Sequence, residues 1–357
     1  MENTKQRNYA MDILRVLACY MVIQVHAGEF YYISDGSRVA SGDGPYVVGF
    51  LNSLFRTAVP LFVMISGYFL LPMRESVEKF FSKRFTRVAI PFILWCVLYS
   101  FYYFFCGDIS LKQAFINIPK IAVNYGVELN HLWYIYMLIG LYLFVPIISP
   151  FLRTAAPRHI RYYLYLWAFT LCVPYIHLVF PAILGECFWN KTPMLYYFSG
   201  FLGYMVLAFY IRNFVDTTTK SVGVMAWLMI SIGYVFTTWG FESAIGEVEH
   251  VFQLEWTWLF ESINVGFMTV GIFLLFERMK ITKKPGKTMR FCVDVSKYSY
   301  GIYLVHIMIL NTFYAFYEPL INNFWLKIPL VAISTLVVSY IVIKLLSYLP
   351  KSKYIVG

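Results

Sequence analysis

The stretch HLWYIYMLIGLYLFVPIISPF, residues 131–151, decides the fold class of this chain. It contains no Asp, Glu, Lys or Arg, and an α-helix needs about 20 mainly apolar residues to cross a bilayer. Nine further runs of this kind lie at residues 8–28, 46–71, 88–106, 162–180, 194–210, 222–240, 256–276, 298–317 and 324–346. The sequence therefore predicts an all-α integral membrane protein, a bundle of about ten transmembrane helices.

The composition agrees with this fold class. Of the 357 residues 60% are hydrophobic and 13% are charged, whereas soluble domains carry about 25% charged residues. No polar stretch is long enough to form a water-soluble domain, so we expect one membrane domain over residues 1–357. The six cysteines show no C-x-x-C spacing, so neither a disulfide framework nor a metal site is expected.

The basic residues fix an orientation. With the N-terminus in the cytoplasm, 22 of the 29 Lys and Arg residues fall in inner loops or tails. Five fall outside (Arg38, Lys112, Lys120, Lys191 and Lys327), and Arg15 and Arg56 lie within the runs. This asymmetry obeys the positive-inside rule and predicts that both termini are cytoplasmic. The net charge of +10 then reflects topology, and no nucleic-acid partner is expected.

The first run carries charges that are costly in hydrocarbon and therefore indicate function. His26 follows Arg15 by eleven residues, which places both on one helix face about 16 Å apart along the axis. Asp12 is three residues before Arg15 and shares that face. Two simpler interpretations stay open: an Asp12–Arg15 ion pair near the interface with Arg15 snorkelling, and a histidine hydrogen-bonded within the bundle.

Arg56 is the second arginine inside a run, in the outer half of the second predicted span. Its depth resembles that of His26. An arginine near a histidine on the outer side can hold an anionic or sugar-like acceptor, or it can simply pair with Glu261 of the eighth span. The sequence leaves both interpretations open.

Five motifs together resemble acyltransferase family 3, bacterial membrane proteins that O-acylate cell-envelope sugars. In the first span an Arg is followed by ten residues and a His, as in Arg15 and His26. The other four are Arg84-Phe85-Thr86-Arg87, VPLFVMISGY at 59–68, HLWY at 131–134 and YSYGIYLVH at 298–306. Many relatives carry an additional extracytoplasmic hydrolase-like domain, which this chain is expected to lack, so the membrane domain or another protein is expected to complete the transfer.

The resemblance implies an acyl-CoA donor, acetyl-CoA in the first place, and a hydroxyl of a saccharide or lipid-linked saccharide as acceptor, in a multi-pass protein of the inner or plasma membrane. His26 is the candidate general base or acyl carrier, because histidine titrates close to neutral pH. Arg15 is expected to contact the donor's polar groups or to stabilise charge on the thioester oxygen, with Asp12 orienting it. Arg84 and Arg87 are the candidates for CoA phosphates, since guanidinium groups bind phosphate bidentately.

The remaining candidates have two interpretations each. Tyr303 and His306 line a donor channel or pack helices through a hydrogen bond, and Ser66 contributes to donor binding or permits close helix approach beside Gly67. His131 and Trp133 form an acceptor platform or an interfacial anchor, and Arg56 and Glu261 complete the acceptor set. A transporter of an envelope precursor or a small amino acid, and a catalytically silent assembly partner, are the competing functions.

Overall fold

The computed structural model describes residues 7–185, 193–281 and 286–357. Lys5, Cys187 and Lys191 lie outside this range. Within it the chain forms the following helices: α1 Ala10–Tyr32, α2 Gly44–Asn52, α3 Ala58–Leu70, α4 Val77–Arg84, α5 Ile90–Cys106, α6 Leu111–Lys120, α7 Tyr125–Glu128, α8 Trp133–Thr154, α9 Pro157–Thr170, α10 Val173–Val179, α11 Leu202–Phe214, α12 Lys220–Ala244, α13 Val251–Leu254, α14 Ile263–Met279, α15 Lys287–Tyr317 and α16 Phe324–Leu346. Two short strands, β1 (Ile33–Ser34) and β2 (Arg38–Val39), pair antiparallel after α1.

The apolar runs fold as helices, which confirms an all-α membrane protein. In the described residues seven helical segments are long and apolar enough to cross a bilayer, and an eighth forms if α2 and the following Leu54–Leu70 segment, bent by 43°, count as one span. The other two predicted runs correspond to α11, with 13 residues, and α14, with 17 residues. The number of ten spans and the cytoplasmic termini therefore stay predictions.

Backbone chemistry explains where the helices depart from the predicted runs. Pro60 has no N–H to donate to the carbonyl of Arg56, and the chain forms a 3₁₀ turn over Leu54–Thr57 before α3 begins. Gly200 has φ +91°, a left-handed conformation that interrupts a helix. The run predicted from residue 194 consequently becomes helical only at Leu202.

Packing divides the chain into two compact units. The first comprises Met1–Pro72 and Ser149–Val293. Its helices approach closely where glycine faces a backbone: a Cβ on Gly67 of α3 would lie 2.4 Å from the carbonyl oxygen of Met205 in α11. A Cβ on Gly271 of α14 would lie 2.5 Å from the carbonyl oxygen of Ala226 in α12. Small residues allow such contacts in membrane bundles.

The second unit comprises Met73–Ile148 and Asp294–Gly357. Here α5 and α6 join through Ser100, which donates to the carbonyl of Ala114 at 2.9 Å. The chain end folds back onto α5, where the indole of Trp95 donates to the carbonyl of Ile355 at 2.9 Å. Tyr300 of α15 donates to the carbonyl of Val88 at 2.7 Å. These bonds hold the segment that carries Arg84 and Arg87.

Candidate active site

In the first unit, α1 is unbroken from Ala10 to Tyr32, so the predicted axial separation of about 16 Å between Arg15 and His26 holds. The guanidinium of Arg15 lies over the ring of Phe69 at 5.5 Å. Asp12 is buried, and Arg7 grips its carboxylate with two hydrogen bonds of 2.8 and 2.9 Å. The hydrogen bond to Asp12 raises the pKa of Arg7. Arg7 is a partner that the sequence analysis did not name.

His26 has a carboxylate partner on its own helix. Its Nδ1 lies 2.9 Å from Oε1 of Glu29, and the imidazole is 15% exposed. Because an ionised carboxylate only accepts hydrogen bonds, the proton of this contact sits on Nδ1. A neutral His26 then carries its lone pair on Nε2. The pair has the geometry in which an acid orients a basic histidine.

A buried asparagine ties the α1 segment around His26 to its neighbour. Asn52, at the end of α2, is fully buried and its Nδ2 donates to the carbonyls of Gln24 and Val25 at 3.3 Å each. A Cβ on Gly28 would lie 2.2 Å from that nitrogen. The glycine therefore leaves the room that this contact needs.

Arg56 is held in an aromatic cage, and the ion pair with Glu261, one of its two interpretations, is not formed. Its guanidinium lies 5.1 Å from the ring of Trp258 and 4.8 Å from that of Phe260, and its Nε donates to the carbonyl of Trp258 at 3.1 Å. The carboxylate at 3.8 Å belongs to Glu255, which also accepts from the hydroxyl of Tyr32. The two aromatic rings and the carboxylate of Glu255 together orient the guanidinium of Arg56.

Glu261 instead lines a cavity of about 230 Å³. The imidazole of His177 and the side chains of Thr170, Ser199 and Tyr196 share its wall. Among the described residues Glu261 has neither a hydrogen-bond nor an ion-pair partner. The carboxylate and the imidazole can hydrogen-bond hydroxyl groups of a ligand, while the mainly apolar walls can contact the apolar face of its ring.

In the second unit, Arg84 precedes a π-helical turn, Phe85–Ala89, and Arg87 lies within it; such turns occur often at functional sites. Arg84 is half-buried, with its guanidinium 5.2 Å from the ring of Phe80 and 5.3 Å from that of Tyr142. Its Nε is buried and has no hydrogen-bond partner in the described part of the chain. Arg87 is exposed. The two arginines therefore differ in surroundings, although the sequence treats them as a matched pair.

The second unit also contains a buried pair of histidines. The rings of His131 and His306 are 5.3 Å apart and almost perpendicular, and the hydroxyl of Tyr303 donates to the carbonyl of His131. Each Nδ1 faces a backbone carbonyl, that of Leu129 at 2.8 Å and that of Tyr303 at 2.5 Å. Carbonyls only accept, so both protons sit on Nδ1. One cluster thus unites His131, predicted for the acceptor, with two residues predicted for the donor.

The remaining candidates contribute less to these groups. Ser66 is a half-buried residue of α3 beside Gly67, and the close approach that the sequence offered as an alternative is made by that glycine. Trp133 begins α8, with its ring edge-on to Tyr134. The first unit therefore holds Asp12, Arg15, His26, Arg56, Ser66 and Glu261, and the second holds Arg84, Arg87, His131, Trp133, Tyr303 and His306.

Besides Arg7, the sequence did not predict roles for Glu29 and Asn52 of the first unit. The predicted span ends at residue 28 and leaves out Glu29, although its spacing from His26 is the i, i+3 spacing of helical neighbours. Asn52 left no local signal, because its partners lie 27 and 28 residues away.

Residues 8–344 match a family model described as an acyltransferase domain. The chain belongs to acyltransferase family 3. This confirms the resemblance drawn from the five motifs and assigns the chain to a family of multi-pass membrane acyltransferases. It is also 29% identical over 140 residues to an amino-acid racemase of Enterococcus faecalis, a match that covers 36% of this chain and 18% of that protein. No solved structure matches the chain.

Proposed function

We propose that this acyltransferase is an O-acetyltransferase that moves an acetyl group from cytoplasmic acetyl-CoA to a hydroxyl of a cell-envelope saccharide. The observation that carries the proposal is the His26–Glu29 contact at 2.9 Å, in the first helix of a chain that matches the family over residues 8–344. A histidine with one nitrogen fixed by a carboxylate is suited to take a proton from a hydroxyl.

The chemistry follows from the tautomer. With Nδ1–H directed at Glu29, the Nε2 lone pair of His26 accepts the proton of the acceptor hydroxyl. The oxygen forms a bond to the thioester carbonyl carbon, the carbon–sulfur bond breaks, and the CoA thiolate leaves and takes the proton back from the imidazolium. In the alternative covalent route, Nε2 attacks the thioester carbonyl carbon and the carbon–sulfur bond breaks to release the CoA thiolate. The hydroxyl oxygen then attacks the acetyl carbon, the carbon–nitrogen bond breaks, and the hydroxyl proton passes through Nε2 to the thiolate.

Arg15 takes the first of its two predicted roles in this proposal. The unbroken helix places it about 16 Å from His26 along the axis, a distance far greater than one arginine side chain spans. It therefore contacts a polar group of the donor rather than the thioester oxygen undergoing attack at His26. The Arg7–Asp12 pair fixes the start of the same helix.

For the donor we propose that exposed Arg87 and half-buried Arg84 bind CoA phosphates. A guanidinium binds phosphate oxygens bidentately, and the aromatic rings of Phe80 and Tyr142 leave the cation of Arg84 less hydrated than a surface arginine. For the acceptor we propose the cavity at Glu261, because a carboxylate accepts hydrogen bonds from sugar hydroxyls while the apolar wall contacts a sugar ring.

The test follows thioester cleavage and label transfer by purified protein in liposomes with labelled acetyl-CoA. We expect His26→Ala to lower turnover by about 10²- to 10⁴-fold, the contribution of a general base, while acetyl-CoA still binds. His250→Ala, at an exposed histidine, is the matched control. A wild-type protein that neither binds nor cleaves acetyl-CoA would exclude this function.

A second candidate is transport of a small amino acid. The observation in its favour is the match to a protein that acts on amino acids, the amino-acid racemase. Uptake of labelled amino acids into proteoliposomes tests it without acetyl-CoA. Uptake by the wild type that persists in His26→Ala, together with absence of thioester cleavage, would establish transport in place of acyl transfer.

A further inference from the structure

A second cavity of the first unit lies apart from every residue assigned above. It is a groove of about 280 Å³ between α9, α11, α12 and α14. Its wall is apolar along its length and includes Leu164, Ala168, Leu171, Leu207, Phe267 and Val270. An apolar groove of this kind on a membrane-spanning bundle is a surface against which a hydrocarbon chain can pack.

The depth of the groove matches one leaflet. Its lining residues on this side begin at Arg161 near the start of α9 and end at Leu171. Ten helical steps cover about 15 Å, and the hydrocarbon core of a bilayer is about 30 Å thick. The groove therefore extends from the bilayer surface to about the midplane, the depth reached by an acyl chain of one leaflet.

The groove carries one charge, at its surface end. Arg161 is the only Asp, Glu, Lys or Arg among the residues that line it. Its side chain is exposed, and no carboxylate in the described ranges pairs with it. A planar guanidinium above an apolar slot complements a phosphate attached to a hydrocarbon chain.

We propose that this groove binds an anionic phospholipid, with an acyl chain between α9 and α14 and the headgroup phosphate on Arg161. Basic pockets between transmembrane helices bind lipid headgroups in this way. An anionic lipid is favoured over a zwitterionic one. In a zwitterionic headgroup the positive amine offsets the phosphate charge that would attract Arg161, whereas an anionic headgroup has no such amine. The site is independent of the acyl-transfer chemistry.

The experiment is native mass spectrometry of the detergent-purified full chain titrated with dioleoyl-phosphatidylglycerol, and separately with dioleoyl-phosphatidylcholine. We expect one high-affinity phosphatidylglycerol per chain, and a loss of affinity of about fivefold in Arg161→Ala, the contribution of one basic residue at a membrane surface. Ala168→Phe, which fills the slot, is expected to abolish the high-affinity site.

Matched control variants distinguish lipid binding in the groove from non-specific attraction of lipid to the protein surface. Arg158→Ala removes an exposed arginine of the same helix that does not line the groove, and Val224→Phe enlarges an exposed residue of α12 outside it. Both are expected to keep the site. Equal losses in Arg158→Ala and Arg161→Ala, or equal affinity for the two lipids, would mean annular lipid only and would overturn the proposal. A polyprenyl phosphate that displaces phosphatidylglycerol at equimolar concentration would also overturn it in favour of that lipid.

Discussion

The contact between His26 and Glu29 shows how one side chain sets the chemistry of another. A free imidazole exchanges its proton between two nitrogens, whereas a carboxylate at 2.9 Å holds the proton on Nδ1. The basic lone pair of a neutral His26 is then on Nε2. Asn52, which grips the neighbouring carbonyls of Gln24 and Val25, limits how far this part of the helix can rotate.

We therefore predict that Glu29→Gln lowers kcat for acetyl transfer by about 10- to 100-fold, less than His26→Ala. An amide presents either an acceptor or a donor to Nδ1 and no longer favours one tautomer. Glu29→Asp is expected to recover part of the rate, because it restores a carboxylate. Steady-state kinetics measure the effect, with exposed Glu247→Gln as the control. An unchanged kcat in Glu29→Gln would refute the orienting role.

The two arginines of the π-helical turn are predicted to respond differently. Arg87→Ala should raise KM for acetyl-CoA about tenfold without changing thermal stability, since the side chain is exposed. Arg84→Ala should raise KM and also lower stability by about 1 kcal/mol, because it loses contacts with the rings of Phe80 and Tyr142. Kinetics and thermal unfolding in detergent separate the two effects. If Arg74→Ala raises KM equally, the effect comes from the general charge of the loop.

Among the secondary-structure elements, α3 and α11 cross so closely that no side chain fits at Gly67. A Cβ on Gly67 would lie 2.4 Å from the carbonyl oxygen and 2.6 Å from the Cα of Met205. These are backbone atoms, which cannot rotate away as a side chain can. The two helices must separate to accept any side chain at this position.

Gly67→Ala is consequently predicted to destabilise the protein by about 1–3 kcal/mol, the usual cost of overpacking. Gly140→Ala in α8 is the matched control, because nothing lies within 4 Å of its new Cβ. That variant should be neutral or slightly stabilising, since alanine favours a helix over glycine. Thermal unfolding in one detergent compares the two. Equal midpoints would show that α3 and α11 part without cost.

Across the whole molecule, the apolar runs and the helical spacing could be predicted from the sequence, whereas contacts between residues far apart in the chain could not. Apolar runs gave the helices, and helical spacing gave the common face of Arg15 and His26. The cage around Arg56 could not be predicted, because Trp258 follows it by 202 residues and no spacing rule relates them. The cluster of His131 and His306 has the same origin. The late start of α11 depends on the backbone of Gly200, which the hydrophobic pattern does not report.

The final prediction concerns the complete topology. Ten spans place both termini in the cytoplasm, and an odd number would separate them. They also place the loop at Asp216 inside, beside Arg212 and Lys220, and the loop at Glu247 outside. A 13-residue helix such as α11 is about 20 Å long, shorter than the hydrocarbon core of about 30 Å, so this helix and its flanking segments decide the count.

Reporter fusions measure each position separately. Green fluorescent protein, which fluoresces in the cytoplasm, is expected to be bright after residues 217 and 357, and alkaline phosphatase, which is active outside, is expected to be active after residue 248. Fusions after residue 180 supply the matched outer position ahead of α11. Because the polypeptide changes sides once for each span, activity of alkaline phosphatase after both 180 and 217 would show that α11 and its flanking segments do not cross. The positive residues Arg212 and Lys220 would then lie outside, contrary to the charge asymmetry from which ten spans were inferred.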